Sequence, residues 1–421
     1  MDVEIMTIGD ELLYGQVVDT NSAFMGQQLG RLGLRVRQIT SVSDRADEIV
    51  AALDQARQRA KVILTTGGLG PTKDDLTKHV LARYFGRGLV LHEPTLRHVE
   101  EIFKRFNRPM LDVNRQQALV PEGTEVLHNA VGTAPGMWIE DQGTVFISMP
   151  GVPFEMKRLM QDEVLPKLQQ KFDLAPIEHV VVMTAGLGES FLAEKIKDWE
   201  SALPPNIKLA YLPSLGSVRL RLTGTPDGQP DLRGRMLALL PALRERIGEY
   251  IFAEEDSPLE VVVGQILKAH NWQLGTAESC TGGAVAARIT SVPGSSAYFR
   301  GSVVAYDNDI KEALLGVNAE TLAQHGAVSE ATVREMAEGA RARLGCDFAL
   351  ATSGIAGPGG GTPLKPVGTI CIACATPHGT VSRQINIDRG RQTNIEYTAQ
   401  AVLILLWQQL AGHKESALLK V

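Results

Sequence analysis

Alternation constrains this chain more than any other feature. Short apolar runs at residues 3–8, 34–42 and 61–66 are separated by stretches of helical periodicity, Phe24, Leu29 and Leu32 in one and Ile49, Leu53 and Ala56 in the next. Thr20 or Asn21 can cap the first of these helices, and Gly33 can end it. Strands that alternate with helices fold into a parallel sheet covered on both faces. Ligands of such sheets gather beyond the carboxyl ends of the strands. The expected class is therefore α/β, and the residues after each apolar run are where chemistry belongs.

Two polar clusters fall on those ends. The first is Gly9-Asp10-Glu11, followed by Asp19 and Asn21. The second, Gly67-Gly68-Leu69-Gly70-Pro71-Thr72-Lys73-Asp74-Asp75, leaves the third strand and is expected to enter a helix near Asp74. Glycine-rich backbone at a helix start can cradle phosphate, and neighbouring carboxylates can hold a divalent ion that bridges to it. Neither the dinucleotide spacing G-x-G-x-x-G nor the Walker ending G-K-[ST] is present. The competing reading is a tight turn with Asp74 as a helix cap. The glycines, Pro71, Thr72 and the paired carboxylates together favour a phosphate site. Further on, residues 93–106 read as a helix, 136–140 and 144–149 as a hairpin, and 154–170 as a helix with Pro153 in its first turn.

The middle of the chain reads as a small α+β unit. Strands are expected at 176–184, 207–212 and 217–222, with helices at 189–199 and 231–247. Ala185-Gly186-Leu187-Gly188 is similar to the glycine loop of a KH module, although Gly-Leu-Gly departs from G-x-x-G. Arg219 and Arg221 share one strand face, which is slight support for RNA; a connecting or dimer-supporting role is favoured. Glu254-Glu255-Asp256-Ser257-Pro258 marks an exposed boundary to the last domain.

In that last domain, Thr276-Ala277-Glu278-Ser279-Cys280-Thr281-Gly282-Gly283-Ala284 follows a short apolar run and precedes an alanine-rich helix. A serine at such a turn points its hydroxyl at the sheet's end. It lies beside a helix N-terminus, whose free N–H groups favour developing negative charge. Ser279 is thus a candidate nucleophile, with plain helix capping as the rival role. His270, His325, His378 and His413 follow no convincing strand end, so a serine–histidine triad is not favoured. Lys311 follows an expected buried strand at 299–306 and can serve as base if its pKa is depressed, with Tyr306 as a further proton carrier. A second glycine-rich loop, residues 353–361, opens from a strand at 348–352. A final helix is expected over 392–410.

These motifs resemble the CinA family. Gly9-Asp10-Glu11-Leu12-Leu13, Asp19-Thr20-Asn21, the glycine run through Asp75 and Met149-Pro150-Gly151-Val152-Pro153-Phe154-Glu155-Met156 resemble its front domain, which has the molybdopterin-binding fold. Glu278-Ser279-Cys280-Thr281-Gly282-Gly283, Tyr306-Asp307-Asn308-Asp309-Ile310-Lys311 and Thr352-Ser353-Gly354-Ile355-Ala356-Gly357-Pro358-Gly359-Gly360 resemble its C-terminal domain. The resemblance implies a three-layer α/β domain over 1–172, a small α+β domain over 173–256 and a C-terminal α/β domain over 257–421. It implies nicotinamide mononucleotide amidohydrolase activity in the last domain, without a cofactor. Ser279 would be the nucleophile, activated by Lys311 and Tyr306, and backbone around Thr281, Gly282 and Gly283 would be the oxyanion site. Ser353, Gly354 and Gly357 would line the substrate, and Arg391 would hold its phosphate. The family commonly shows Gly-Asp-Arg there, whereas this chain has Arg389-Gly390-Arg391, then Asn394-Ile395. For the first domain the resemblance implies metal-dependent ADP-ribose pyrophosphatase activity. Asp74, Asp75 and Asp10 would hold Mg, Mn or Co, with K+ open as a further ion. Gly67, Gly68, Gly70, Thr72, Asp19 and Asn21 would bind substrate. A homodimer is implied too. The alternative is a nucleotide- or pterin-binding sensor, associated with competence, whose first domain performs no catalysis.

Composition narrows the rest. The 421 residues are 44% hydrophobic and 21% charged with net charge −6, which argues against a global nucleic-acid footprint. No apolar run reaches the roughly 18 residues of a membrane span, and the acidic N-terminus is unlike a signal peptide. The four cysteines, Cys280, Cys346, Cys371 and Cys374, form no disulfide framework, and Cys371 and Cys374 would face opposite sides of one strand. A cytoplasmic location is expected.

Overall fold

A computed structural model describes residues 1–72, 75–172, 174 and 176–418, of which 413–418 are described by backbone alone. The chain divides into two compact units: Met1–Glu178 with Gly224–Leu232, and His179–Thr223 with Arg233 onward.

The first unit is built on a six-stranded sheet. Its chain runs through β1 (Asp2–Ile8), α1 (Thr20–Arg31), β2 (Arg35–Val42), α2 (Ala46–Arg59), β3 (Val62–Thr66) and α3 (Thr77–Tyr84). Strands β4 (Glu125–Leu127), β5 (Gly136–Asp141) and β6 (Thr144–Met149) follow, then α4 (Pro153–Leu159). The strand order is β2-β1-β3-β6-β5-β4. The first four of these strands are parallel, and the hairpin β5–β6 and β4 add an antiparallel edge. The sheet is therefore mixed rather than purely parallel. Period-two alternation splits its core: Val3, Ile5, Val62 and Leu64 pack under α1 and α4, while Met6, Ile8 and Ile63 pack under α2 and α3. Glu4 is wholly buried in β1 and is paired by Arg59 at 2.7 Å.

The second unit begins with β7 (Glu178–Ala185), α5 (Glu189–Ser201), β8 (Ile207–Ser214), β9 (Ser217–Gly224), α6 (Leu240–Ile247) and β10 (Ile251–Ala253). Their four-stranded sheet has the order β8-β9-β7-β10. The helix expected over 231–247 is broken into Leu232–Leu237 and α6, with Pro241 in the first turn of the latter. Arg219, on β9, is paired with Asp256 at 2.8 Å.

The C-terminal part follows with α7 (Leu259–Ala269), β11 (Leu274–Glu278), α8 (Ala284–Thr290), β12 (Phe299–Val304), α9 (Asn308–Leu315), α10 (Glu330–Leu344), β13 (Phe348–Gly354), β14 (Thr369–Thr376), β15 (Gly379–Asn386) and α11 (Arg391–Leu418). The strand order is β12-β11-β13-β14-β15. One face carries Leu274, Leu350, Ile372 and Cys374 against α7 and α11; the other carries Ala277, Ala351, Cys371 and Ala373 against α10. Cys371 and Cys374 thus do lie on opposite faces. The strand expected at 299–306 ends at Val304 and is an edge strand, half-exposed rather than buried. Among the described residues no helix is long and apolar enough to cross a membrane.

Candidate active sites

In the first unit, β1, β3 and β6 all end beneath one cavity of about 1000 Å³. Three turns meet there. Gly67 has φ +112° and a Cβ on it would lie 2.1 Å from the Ile8 carbonyl oxygen, so only glycine lets β3 leave beside β1. The Gly67 amide donates to Met149 O at 3.2 Å, and Thr66 Oγ1 donates to Pro150 O at 2.8 Å. Asn21 Nδ2 donates to Gly151 O at 2.7 Å. That bond fixes the amide's orientation and leaves Asn21 Oδ1 buried without a partner. Asn21 lines the cavity, with its Oδ1 enclosed behind the surface. Asp19 also lines the cavity, but its carboxylate caps α1 by accepting from the Ser22 amide at 2.9 Å. The cap is Asp19, not Thr20 or Asn21.

The glycine run behaves differently from expectation at its far end. Helix α3 starts at Thr77 with Leu76 at its cap, three residues beyond the expected start. Gly67, Gly68 and Gly70 line the cavity. Asp75 turns back to accept from the Thr72 amide at 2.9 Å, and from the Thr72 hydroxyl. Thr72 thereby closes the turn and is exposed. Asp74 lies outside the described residues.

The acidic rim also includes Asp44, which the motifs did not single out. Its carboxyl accepts from the Asp10 amide at 3.2 Å. Burial pushes Asp44 above the usual carboxylate range, and the charges of Glu11, Asp10 and Asp75 push it the same way. A divalent cation would relieve that repulsion. Mg²⁺-like ions take one or two protein carboxylates and complete their shell with water and substrate phosphates. Among the described residues no three His, Cys, Asp or Glu side chains already form a metal-holding group. The donors thus fit a cation shared with a phosphate ligand rather than a closed protein cage. Behind the rim, burial lowers Lys78 to about 8, while Asp75 opposes the shift; its Nζ donates to Gln116 O at 2.6 Å.

In the second unit, the turn after β11 carries Ser279, which is 8% exposed. The Ser279 amide donates to Thr352 O on β13 at 3.0 Å. Glu278, 1% exposed, closes the same turn from inside. Its Oε2 accepts from Thr281 Oγ1 at 2.7 Å and from the Gly283 and Val285 amides at 3.0 Å each, and its Oε1 accepts from the Ala286 amide at 2.8 Å. The start of α8 is therefore already filled by a carboxylate. The Gly282 amide is also committed, to Ser279 O at 3.1 Å. This corrects the expected oxyanion site: of Thr281, Gly282 and Gly283, both glycine amides are taken. Among the described residues, the amides of Cys280 and Thr281 donate to no other residue. A charged residue closing an otherwise apolar strand, just ahead of two glycines and a helix start, was the available signal for Glu278.

Lys311 is 1% exposed on α9. Its Nζ donates to Tyr306 O at 3.0 Å and Asp307 O at 3.4 Å. Burial pulls its pKa down; Asp307 and the Cys280 thiol act in the opposite sense. Burial pushes the Cys280 thiol up to about 12, which keeps it protonated. Gly354 faces the turn: a Cβ there would lie 3.2 Å from Cys280 Sγ.

Tyr306 itself is 61% exposed, so it is its carbonyl, not its ring, that meets Lys311. The phenol accepts from Arg391 Nη2 at 3.2 Å, and Arg391 Nη1 donates to Gly357 O at 2.8 Å. Asn394 is fully buried and holds the same loop through Ala356 O at 3.0 Å. The structure thus joins Tyr306, Arg391 and Gly357 in one group, with Lys311 bound to the Tyr306 carbonyl, and sets Gly354 against Cys280, the residue after Ser279, in another. Ser353 stands apart: its hydroxyl is spent on Ala327 O at 2.7 Å.

Fold and sites define an α/β protein of several domains. One unit holds a glycine- and carboxylate-lined cavity, the other a strand-end serine and a buried lysine bound to the backbone at Tyr306 and Asp307. Family models match in the same order: a probable molybdopterin binding domain over residues 4–170, the damage-inducible protein CinA KH domain over 179–253 and the CinA C-terminal domain over 256–410. The chain is 48% identical to a CinA-like protein of Cytophaga hutchinsonii over 97% of both chains. It is 44% identical to a CinA-like protein of Flavobacterium psychrophilum, over 97% of this chain and 99% of that one. The crystal structure of the competence/damage inducible protein CihA from Agrobacterium tumefaciens is 39% identical, covers 35% of this chain and 91% of its own, and superposes with a TM-score of 0.35. The chain belongs to the CinA family.

Proposed function

We propose that the second unit hydrolyses the carboxamide of nicotinamide mononucleotide to nicotinate mononucleotide and ammonia. The observation that carries this reading is the buried Lys311 ammonium, depressed in pKa beside the Ser279–Cys280 turn. Neutral Lys311 accepts the Ser279 proton as Oγ attacks the carboxamide carbon. The Cys280 and Thr281 amides, which donate to no other residue, are the backbone donors the turn offers to the charge that develops on oxygen. Collapse breaks the C–N bond, and the proton passes to the departing nitrogen, which leaves as ammonia. Water then adds to the acyl-serine and releases the acid and the free hydroxyl. Arg391, held between Tyr306 and Gly357, is the cation available to the substrate phosphate. Incubation of Ser279→Ala with nicotinamide mononucleotide tests the assignment; ammonia released at the wild-type rate eliminates Ser279 as nucleophile.

The first unit, in the same proposal, cleaves the pyrophosphate of ADP-ribose to AMP and ribose 5-phosphate. Asp75 and Asp10 are the described residues that would hold a divalent cation; Asp74, the third expected ligand, lies outside the described residues. When bound, that ion supplies charge neutralisation on the phosphate oxygens. The chain itself contributes the glycine backbone at Gly67 to Gly70, with Asp19 and Asn21 on the same cavity wall. Metal-dependent turnover of ADP-ribose that is unchanged in an Asp74→Asn, Asp75→Asn double variant refutes the assignment. A second reading of the same glycine- and carboxylate-lined cavity is nucleotide or pterin binding without turnover. Tight ligand binding with no product would establish it.

A further inference from the structure

We propose that Glu278 is a positioning residue for Ser279: its carboxylate draws the Thr281 hydroxyl and the Gly283, Val285 and Ala286 amides onto itself, and so fixes the nucleophile's turn and reserves the Cys280 and Thr281 amides for the oxyanion. The proposal rests on the reading of Ser279 as nucleophile and goes beyond it.

A carboxylate in the core is costly unless each lone pair finds a donor. Glu278 is 1% exposed and meets that requirement without any cation. Three amides and one hydroxyl reach it at 2.7–3.0 Å, and Ser302 Oγ lies at 3.5 Å. Every one of these groups is a donor, so the carboxylate acts only as an acceptor. The Thr281 hydroxyl gives its proton to Glu278 and accepts from Thr352 Oγ1 at 2.7 Å. Thr352 O in turn receives the Ser279 amide at 3.0 Å. The chain of bonds is closed: Glu278 to Thr281, Thr281 to Thr352, Thr352 back to Ser279. Ser279 is covalently the next residue after Glu278 and is held on its other side by this loop. A displacement of Glu278 therefore moves Ser279 Oγ relative to Lys311.

Glutamine at 278 keeps the shape but replaces one acceptor oxygen by an NH₂ that repels the incoming amides. The test combines Glu278→Gln, Glu278→Asp and Thr281→Val with Thr281→Ser as the conservative rescue. Two readouts are used on the full chain: Ser279 labelling by a fluorophosphonate probe, followed by intact mass, and ammonia release from nicotinamide mononucleotide. Glu278→Gln is expected to slow labelling by about tenfold or more per native molecule. It should lower kcat with KM held within about threefold. Thr281→Val should do the same and Thr281→Ser should restore both rates. If Glu278→Gln does not fold, the Thr281 pair gives the answer alone. Wild-type labelling rates in both Glu278→Gln and Thr281→Val overturn the proposal. So does a loss that follows only the folded fraction, with the rate per native molecule unchanged. Failure of the underlying reading looks different: there the wild type and Ser279→Ala are alike, with neither labelled at residue 279.

Discussion

Lys311→Met isolates the lysine's contribution. Methionine fills nearly the same space on α9 and removes the amine. The native amine is 1% exposed and makes two hydrogen bonds, to Tyr306 O and Asp307 O at 3.0 and 3.4 Å. Losing the donor leaves two carbonyls less well satisfied, a cost of about 1–3 kcal/mol. Removing a desolvated amine offsets part of it. The melting temperature should therefore move by only a few degrees, at about 2–4 °C per kcal/mol for a unit of this size. The rate should fall far more, by about 10²–10⁴-fold for loss of a general base. Lys311 has a folded pKa below its unfolded value, so the unfolded chain binds more protons between the two. Its contribution to stability accordingly rises as pH climbs from the depressed folded value to the ordinary lysine value. The wild type should gain melting temperature across that window relative to Lys311→Met. In parallel, the wild-type kcat/KM should climb with pH on a limb that the variant lacks. Ammonia release across a pH series, with calorimetry on the same samples, measures both. Wild-type turnover in Lys311→Met, or the same ascending limb in both proteins, would falsify the base assignment.

Other perturbations address the remaining parts. Arg391→Ala cuts the links to Tyr306 and Gly357, and KM for nicotinamide mononucleotide should rise about tenfold or more with kcat less affected, as measured by steady-state kinetics. Asp44→Asn removes a carboxyl raised by burial and by its acidic neighbours; since such a group contributes stability only at low pH and loses it as pH rises through its folded value, the variant should melt higher than wild type at neutral pH without added metal, and should gain less from Mg²⁺ or Mn²⁺. Equal metal-induced shifts in the two proteins count against a cation at this rim. Arg59→Ala strands Glu4, wholly buried in β1, and should cost about 3–5 kcal/mol by denaturant titration, with Glu4→Gln in the same background recovering a part.

Much of the architecture could be read from periodicity. Apolar runs such as 3–8 and 61–66 became the central strands because both their faces are covered, so every residue of 3–8 and of Val62–Thr66 is buried. The strand-end positions of Asp10, the glycine run and Ser279 followed from the same alternation. What periodicity missed has a common cause: it depends on residues distant in sequence. The 299–306 strand looked buried from its apolar content, yet it pairs on one side only and lies half-exposed. Tyr306 consequently points outward to Arg391, a residue far along the chain. Asp44 gives no local signal, since its significance arises from Asp10, Glu11 and Asp75 arriving from other turns. Ser353 looked like a site hydroxyl, but its strand register turns it to Ala327. Asn394 occupies a position in which the arginine pattern is altered, and its buried amide serves the glycine loop instead of a ligand.

The two sites solve opposite electrostatic problems with the same piece of architecture, a glycine-rich turn after a parallel strand. In the first unit the carboxyl groups of Asp10, Glu11, Asp44 and Asp75 line one cavity, and burial together with the charges of the other three pushes Asp44 up. In the second unit the one carboxylate of the turn is turned inward and hydrogen-bonded by the amides at the start of α8 and by a hydroxyl. That difference bears directly on Lys311. A free carboxylate beside it would hold the ammonium charged, as neighbouring opposite charge always does. With Glu278 absorbed by the helix start, the charges that raise Lys311 are those of Asp307 and the Cys280 thiol, and burial outweighs them. Because that thiol is itself pushed up to about 12, it carries little charge at neutral pH. The turn thus keeps Glu278 bound to the start of α8, and burial remains the largest influence on Lys311, in the downward direction.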